Sequence, residues 1–209
     1  MYDEDYYERG VESGKSLYSN YRWIPELTIP MCSELISQLK IKETDSVLDF
    51  GCAKGYLVKA FRLLHRDAYG VDVSDYAINR SKEDMREYLQ RVDPHGPFPV
   101  LCDHQQYDWV IAKDVLEHVR YEDIEVVLKQ LSLICKNLFI AVPLGDGKKY
   151  IVESYELDKT HIIREDLGWW TELLEKYFTV INKTYKMNHI KENYQQYEKG
   201  NGFFILQTK

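Results

Sequence analysis

The sequence predicts an α/β fold, a doubly wound seven-stranded sheet with helices on both faces. Short apolar runs alternate with amphipathic stretches along the chain, the pattern of βαβ units and a parallel sheet. The chain has 209 residues, 44% hydrophobic and 29% charged, which suits one globular core. No repeat or low-complexity linker divides it. The organisation expected is a single domain, with residues 1–43 forming an aromatic cap and helix and residues 44–209 forming the core.

Before residue 44 the chain is rich in Tyr, Ser, Gly and charge. Tyr6, Tyr7, Tyr18, Tyr21, Arg22 and Trp23 are candidates to close over a ligand, because amphipathic rings suit a cover as well as an ordinary half-buried surface. Leu27, Met31, Leu35 and Leu39 then mark an amphipathic helix that closes one face of the sheet. The strands expected are Ser46–Phe50, Ala68–Val73, Phe98–Cys102, Trp109–Ala112, Leu138–Val142, Phe178–Thr184 and Gly202–Gln207. Helical spacing joins Ile124, Val127, Leu128, Leu131 and Ile134, and again Leu167, Trp170, Leu174 and Tyr177. Ser74 is placed to cap a helix opening at Asp75, and Pro94-His95-Gly96-Pro97 breaks the chain before the expected third strand.

Composition removes several function classes. A formal net charge of −7 opposes the basic footprint of nucleic-acid binding. The longest apolar runs are strand-sized, so no membrane segment is expected. The opening Met1-Tyr2-Asp3-Glu4-Asp5 is acidic where a secretory signal is basic and then apolar, so a cytoplasmic location is expected. Cys32, Cys52, Cys102 and Cys135 are scattered, with no Cys-x-x-Cys pair and no His at zinc-ligand spacing. Neither a disulfide framework nor a metal is expected.

The central feature is Val47-Leu48-Asp49-Phe50-Gly51-Cys52-Ala53-Lys54-Gly55-Tyr56-Leu57, an apolar strand ending in an acid, then a glycine-bracketed turn into a helix. The helix start leaves unpaired N–H groups aimed at the space beside the turn. A second strand ends in Val71-Asp72-Val73-Ser74. Asp72 stands about 20 residues downstream, where doubly wound folds set a carboxylate against ribose hydroxyls. These features predict an adenosine-containing ligand. A dinucleotide is disfavoured: its turn reads Gly-x-Gly-x-x-Gly, whereas here Gly51-x-x-x-Gly55 follows Asp49, which would repel phosphate and welcome an ammonium or sulfonium group.

The stretch resembles the class I S-adenosylmethionine-dependent methyltransferases, Rossmann-like enzymes whose first motif reads Asp-x-Gly-x-Gly-x-Gly and whose second-strand acid binds ribose. Tyr107-Asp108-Trp109-Val110-Ile111-Ala112-Lys113-Asp114-Val115-Leu116-Glu117-His118-Val119 is similar to that family's fourth strand and the Leu-Glu-His-Val segment of its small-molecule branch. Leu138–Pro143 is similar to its fifth strand. Ala53 stands where the middle glycine is usual, and the connection Asp103-His104-Gln105-Gln106 is short. The resemblance implies cofactor contacts from Asp49, Gly51, Cys52, Gly55, Tyr56, Asp72, Val73, Asp103 and Lys113; from the aromatic cap, Arg22 is the candidate partner of the methionyl carboxylate, with a surface position the commoner outcome for an Arg. Cys52 reads as a backbone contributor, Asp108 as the start of a strand, and Glu117 and His118 as a structural turn.

The acceptor side is expected after the fifth strand, around Pro143–Tyr150 and Asp158-Lys159-Thr160-His161. His161 is the candidate general base, with Asp158 to orient it; local hydrogen bonding that fixes the loop is the competing role. The function expected is methyl transfer from S-adenosylmethionine to a small or sugar-like acceptor, through oxygen, with N- or C-methylation open. A non-catalytic S-adenosylmethionine-binding subunit and a nicotinamide-dependent oxidoreductase are the alternatives. The family's base-modifying branches carry Asn/Asp-Pro-Pro-Tyr/Phe or Pro-Cys, whereas the corresponding segment here is Lys113-Asp114-Val115-Leu116.

Overall fold

Seven strands form: β1 (Ser46–Phe50), β2 (Asp67–Asp72), β3 (Leu89–Arg91), β4 (Tyr107–Lys113), β5 (Cys135–Pro143), β6 (Phe178–Thr184) and β7 (Asn201–Thr208). In the computed structural model, which describes residues 1–209, they make one sheet in the order β3-β2-β1-β4-β5-β7-β6. β1 to β5 run parallel. β7 enters antiparallel between β5 and β6, so the sheet is mixed rather than wholly parallel.

Alternation along the strands divides the core into two faces. Val110 and Ala112 of β4 point to one face, with Leu128 and Leu131 of α6 (Ile124–Ile134) and Trp170 and Leu174 of α7 (Leu167–Leu174). Trp109 and Ile111 point to the other, with Cys32, Leu35 and Leu39 of α3 (Pro25–Leu39) and Val58 and Phe61 of α4 (Tyr56–Leu63). Each buried Val, Leu, Ile or Phe side chain among them contributes roughly 1.5–3 kcal/mol. Pro25 opens α3 where a missing N–H costs nothing, and Ser74 Oγ accepts from the Ala77 amide to cap α5 (Asp75–Asn79).

The third strand is displaced from its expected place. Phe98–Cys102 is not a strand; β3 is the three-residue segment Leu89–Arg91, before Pro94. Pro97 and Pro99 deprive that apolar run of ladder donors. Two of its amides are satisfied by side chains, Phe98 N–H by Gln130 at 3.1 Å and Leu101 N–H by the Tyr107 hydroxyl at 2.7 Å. Its hydrophobicity is spent covering the sheet, with the Phe98 and Phe50 rings 4.9 Å apart.

The parallel strands β1, β2, β4 and β5 point their carboxyl ends to one edge, where open α/β sheets bind ligands. The N-terminal segment, with α1 (Glu4–Glu8) and α2 (Gly10–Ser13), lies over that edge. Tyr6 and Tyr7 are buried there with Ala77, packed by Tyr2, Tyr18, Tyr21, Ala53 and Tyr76. No helix is long and apolar enough to cross a membrane.

Candidate active site

The β1–α4 turn is drawn tight by the neighbouring strand. The Gly51 and Cys52 amides both donate to the Val71 carbonyl, at 2.8 and 3.0 Å, and Gly55 N–H donates to Cys52 O at 2.8 Å. Gly51 has φ +82° and a Cβ there would stand 2.5 Å from Val115 Cγ2. Gly55, at φ +77°, caps α4. Ala53, at φ +50°, takes the same left-handed conformation with a side chain, at a cost of about 1 kcal/mol. Its amide donates to Asp72 Oδ2 at 2.8 Å.

The two acids of this turn differ. Asp72 accepts from Ala53 and, through Oδ1, from Ser74 N–H at 2.7 Å. Burial raises its carboxyl while these backbone donors pull it back. Each oxygen keeps acceptor capacity for a ribose hydroxyl. Asp49 is buried with no donor on its carboxylate. Burial pushes it up to about 7, Lys113 draws it down and Asp72 adds to the rise. It is a buried acid at a strand end with no cation in direct contact, the setting that an ammonium or sulfonium group would complete. Cys52 is buried, burial pushes its thiol far up, and its backbone amide is the group that braces the turn.

The cover reaches the turn through Lys54, whose ammonium pairs with Glu8, donates to Tyr21 O at 2.8 Å and lies 5.8 Å from the Tyr21 ring. Tyr56 stacks on Tyr21 at 5.2 Å and meets Trp23 at 5.9 Å. Arg22 does not join them. It is exposed and paired with nothing, because its neighbours Tyr21 and Trp23 take the inward positions. The buried cation here is Lys54, whose place inside the glycine-bracketed turn gives no local sign of that role. Asp103 is likewise exposed, in the loop that replaces the expected third strand, and Val73 is half-buried beside Asp72.

The second half of the edge is built from distant segments. Asp114, at φ +55°, is clamped between Lys113 and Lys191. Burial opposes its charge, but the two ammonium groups hold its carboxyl well below the usual range. Lys191 also donates to Asn201 Oδ1 at 2.9 Å. A single 3-10 turn, Leu116–His118, follows. The Glu117 carbonyl accepts from Ile162 and Ile163 N–H at 2.7 and 3.0 Å, tying the Asp158–Ile163 segment to it.

Asp158 does not orient His161. It accepts the Thr160 hydroxyl at 2.6 Å and amide at 2.9 Å, and the Tyr6 hydroxyl at 2.9 Å. Thr160 in turn meets His118 Nδ1 at 2.8 Å. His161 is held instead by the Tyr155 carbonyl, 2.9 Å from Nδ1. Its Nε2 faces Glu117 Oε1 at 3.9 Å, and the two imidazoles are 4.7 Å apart. Both carboxylate oxygens of Glu117 are buried without a hydrogen-bond partner. Burial, with Asp114 nearby, pushes this carboxyl up to about 8. Burial and His161 push His118 down to about 4, and burial lowers His161 as well. Of the expected acceptor loop, residues 146–149 are exposed, while Tyr150 backs His161 at 5.3 Å.

Tyr2 joins the halves. Its carbonyl accepts from Ser74 Oγ at 2.6 Å, beside Asp72, and its ring lies 5.8 Å from His118. The structure thus brings Asp49, Gly51, Cys52, Gly55, Tyr56, Asp72, Val73 and Lys113 to one end of the edge and Asp158 and His161 to the other. Asp108 lies at the opposite end of β4, where it accepts from Ser46 and pairs with Lys136.

A family profile described as a methyltransferase domain matches residues 27–195. No curated protein sequence matches the chain. Among solved structures, an S-adenosylmethionine-dependent methyltransferase from Archaeoglobus fulgidus superposes with a TM-score of 0.64 at 15% identity, covering 88% of this chain and 97% of its own. A TehB-like S-adenosylmethionine-dependent methyltransferase from Corynebacterium glutamicum gives 0.62 at 12%, covering 96% and 93%. The 1,6-didemethyltoxoflavin-N1-methyltransferase of Burkholderia thailandensis, with bound 1,6-didemethyltoxoflavin and S-adenosylhomocysteine, gives 0.60 at 14%, covering 90% and 80%. At these identities the likeness is one of fold.

Proposed function

The chain belongs to the methyltransferase-domain family, and from that premise we propose that it methylates an oxygen of a small-molecule or sugar-like acceptor. It is an S-adenosylmethionine-dependent enzyme of the class I fold. The observation that carries the reading is the pair of buried acids at the Gly51–Gly55 turn, Asp49 without a cation in direct contact and Asp72 with acceptor capacity left, under a cover of tyrosines.

When bound, the cofactor supplies a methyl group activated by positively charged sulfur. Asp49 offers a negative charge to the cationic end and Asp72 accepts ribose hydroxyls. The turn between Gly51 and Gly55 lets backbone approach the ligand. Tyr6, Tyr7, Tyr18 and Tyr21 exclude water, and Lys54 anchors them to the turn. Methyl transfer depends mainly on alignment in a dry site. We place the acceptor oxygen beside Glu117, His118 and His161, with His161 Nε2 the basic atom facing that space. The net charge of −7 and an edge lined by carboxylates argue for a small acceptor rather than a polymer phosphate.

Mass spectrometry of ligand released from gently purified protein tests the cofactor, and a labelled methyl donor offered with fractionated small-molecule extracts tests the acceptor. Recovery of S-adenosylhomocysteine and label in an alkali-stable ether are expected. Recovery of a nicotinamide dinucleotide overturns the reading, and label on nitrogen or carbon overturns the choice of oxygen.

A further inference from the structure

Glu117 presents a problem of physical chemistry that the cofactor does not solve. Its side chain is 1% exposed, and neither oxygen has a partner. A buried carboxyl with no hydrogen-bond partner is strongly disfavoured. The groups around it are arranged to meet something between them.

Two imidazoles face the same space, and their tautomers follow from their partners. Asp158 can only accept from the Thr160 hydroxyl, at 2.6 Å, which uses that hydroxyl's one proton. The 2.8 Å contact between Thr160 Oγ1 and His118 Nδ1 is therefore donated by the imidazole. The Tyr155 carbonyl likewise can only accept, so His161 also carries its proton on Nδ1. Both rings keep the Nε2 lone pair free. A ligating histidine almost always gives its other N–H to a carbonyl or a carboxylate-linked acceptor, which fixes the ring. Both rings here are fixed in that way.

We infer that Glu117, His118 and His161 hold one divalent first-row transition ion. One potential ligand atom from each lies within 4.8 Å of the others. Ligands at about 2.0–2.2 Å from such an ion stand roughly 3–4 Å apart, so the set closes on it by at most about 1–2 Å. Two imidazole nitrogens and one carboxylate, without thiolate, select ions of the Zn²⁺, Fe²⁺ or Co²⁺ kind over Mg²⁺, Ca²⁺ or Cu⁺. Three protein ligands leave coordination positions open, as in metal sites that bind substrate rather than only brace a fold. The ligands lie in two segments far apart in sequence, a turn after β4 and the Asp158–Ile163 segment, which is why local Cys and His spacing did not reveal them.

The use of the ion rests on the methyl-transfer reading above. With Nε2 of His161 held by the ion, that atom is no longer the base, and an acceptor hydroxyl at an open position gives its proton to solvent more readily instead. Its oxygen forms the bond to the methyl carbon, and the electron pair of the breaking carbon–sulfur bond stays on sulfur. Asp158 and Thr160 are then positioning residues, acting on the ion through His118.

The test uses the full chain, stripped with a chelator and titrated with Co²⁺ as a visible-spectrum probe, then with Zn²⁺ in competition. One equivalent of Co²⁺ with a saturable visible spectrum is expected, displaced by Zn²⁺, with a rise in the thermal unfolding midpoint. Glu117→Gln and His161→Asn should abolish the spectrum. Thr160→Val should weaken Co²⁺ by about 10–100-fold, the usual effect of losing a partner behind a ligand. Thr160→Val is a near-isosteric change that keeps the test open if Glu117→Gln fails to fold. No saturable spectrum in the folded parent protein, or a spectrum unchanged in Thr160→Val and His161→Asn, overturns the site. Calorimetry with S-adenosylhomocysteine on the same samples separates the two claims. Cofactor binding without Co²⁺ binding removes the ion alone, and Co²⁺ binding without cofactor binding removes the methyl-transfer reading.

Discussion

The two ends of the ligand edge are built in opposite ways. At the cofactor end, the turn after β1 is braced by its own backbone amides, those of Gly51 and Cys52 donating to the Val71 carbonyl and that of Ala53 to the Asp72 carboxylate, about 20 residues on. At the acceptor end, the polar groups come from residues 114–118, 155–161 and 191, joined mainly through side chains. A site braced by backbone tolerates change in its side chains but not in its backbone conformation. A site braced by side chains has the reverse sensitivity.

The sharpest way to break that comparison is Gly51→Val. A Cβ at this position stands 2.5 Å from Val115 Cγ2 on a backbone with φ +82°. Both the clash and the left-handed conformation oppose a β-branched residue. S-adenosylhomocysteine binding should be lost in calorimetry, with a marked drop in the urea midpoint. Normal binding by a folded variant would mean that the turn does not meet the cofactor.

At the acceptor end the largest effect should come from Lys191→Met, which removes a buried ammonium from Asp114, Asn201 and Tyr155. Breaking a buried pair costs about 3 kcal/mol, and Lys113 still faces Asp114. Urea unfolding should show a loss of up to that size. Affinity for S-adenosylhomocysteine should be unchanged in the folded variant, since Lys191 serves the other end. A large loss of affinity would show that the ends are one unit.

This contrast also explains what could be read from the sequence. The cofactor end is contiguous, so an acid, two glycines and a second acid about a strand and helix later were enough to place Asp49, Gly51, Gly55 and Asp72. The sheet was legible where strands are long and apolar. It was misread at β3, where Leu-Gln-Arg is too short and polar to stand out, while the more apolar Phe98–Cys102 covers the core instead. The acceptor end was legible only as a list of parts. His161 and Asp158 were picked out, but the partner that Asp158 holds is Thr160, and Glu117 and His118 read as a plain turn. Nothing local in the chain shows that Ile162 and Ile163 will hydrogen-bond to the Glu117 carbonyl and bring these segments together.

Asp72→Ala sharpens the comparison from the cofactor side. It removes the proposed ribose acceptor together with the bonds to Ala53 and Ser74. Hydrogen bonds to a charged group predict a loss of roughly 1.5–3 kcal/mol in cofactor affinity. Calorimetry of the folded variant checks this, and unchanged affinity would leave Asp72 with the turn-bracing role only.

The smallest effect is a pH dependence confined to the cofactor end. Asp49 is buried and its carboxyl stands at about 7 in the ligand-free protein. A raised carboxyl contributes stability that is full below its unfolded value near 4 and is lost as pH rises through about 7. A bound cation reverses the preference, because it favours the carboxylate. Binding S-adenosylmethionine should therefore expel a proton below neutrality, and affinity should fall about tenfold from pH 8 to pH 6, or ~1.4 kcal/mol. Titration in two buffers of different ionisation heat counts that proton directly. Asp49→Asn should flatten the profile and abolish the proton release, whereas Asp72→Ala should leave the proton release in place. A parent protein whose affinity stays level over this range would place the cationic end of the cofactor away from Asp49, and the turn would then be a purely backbone site.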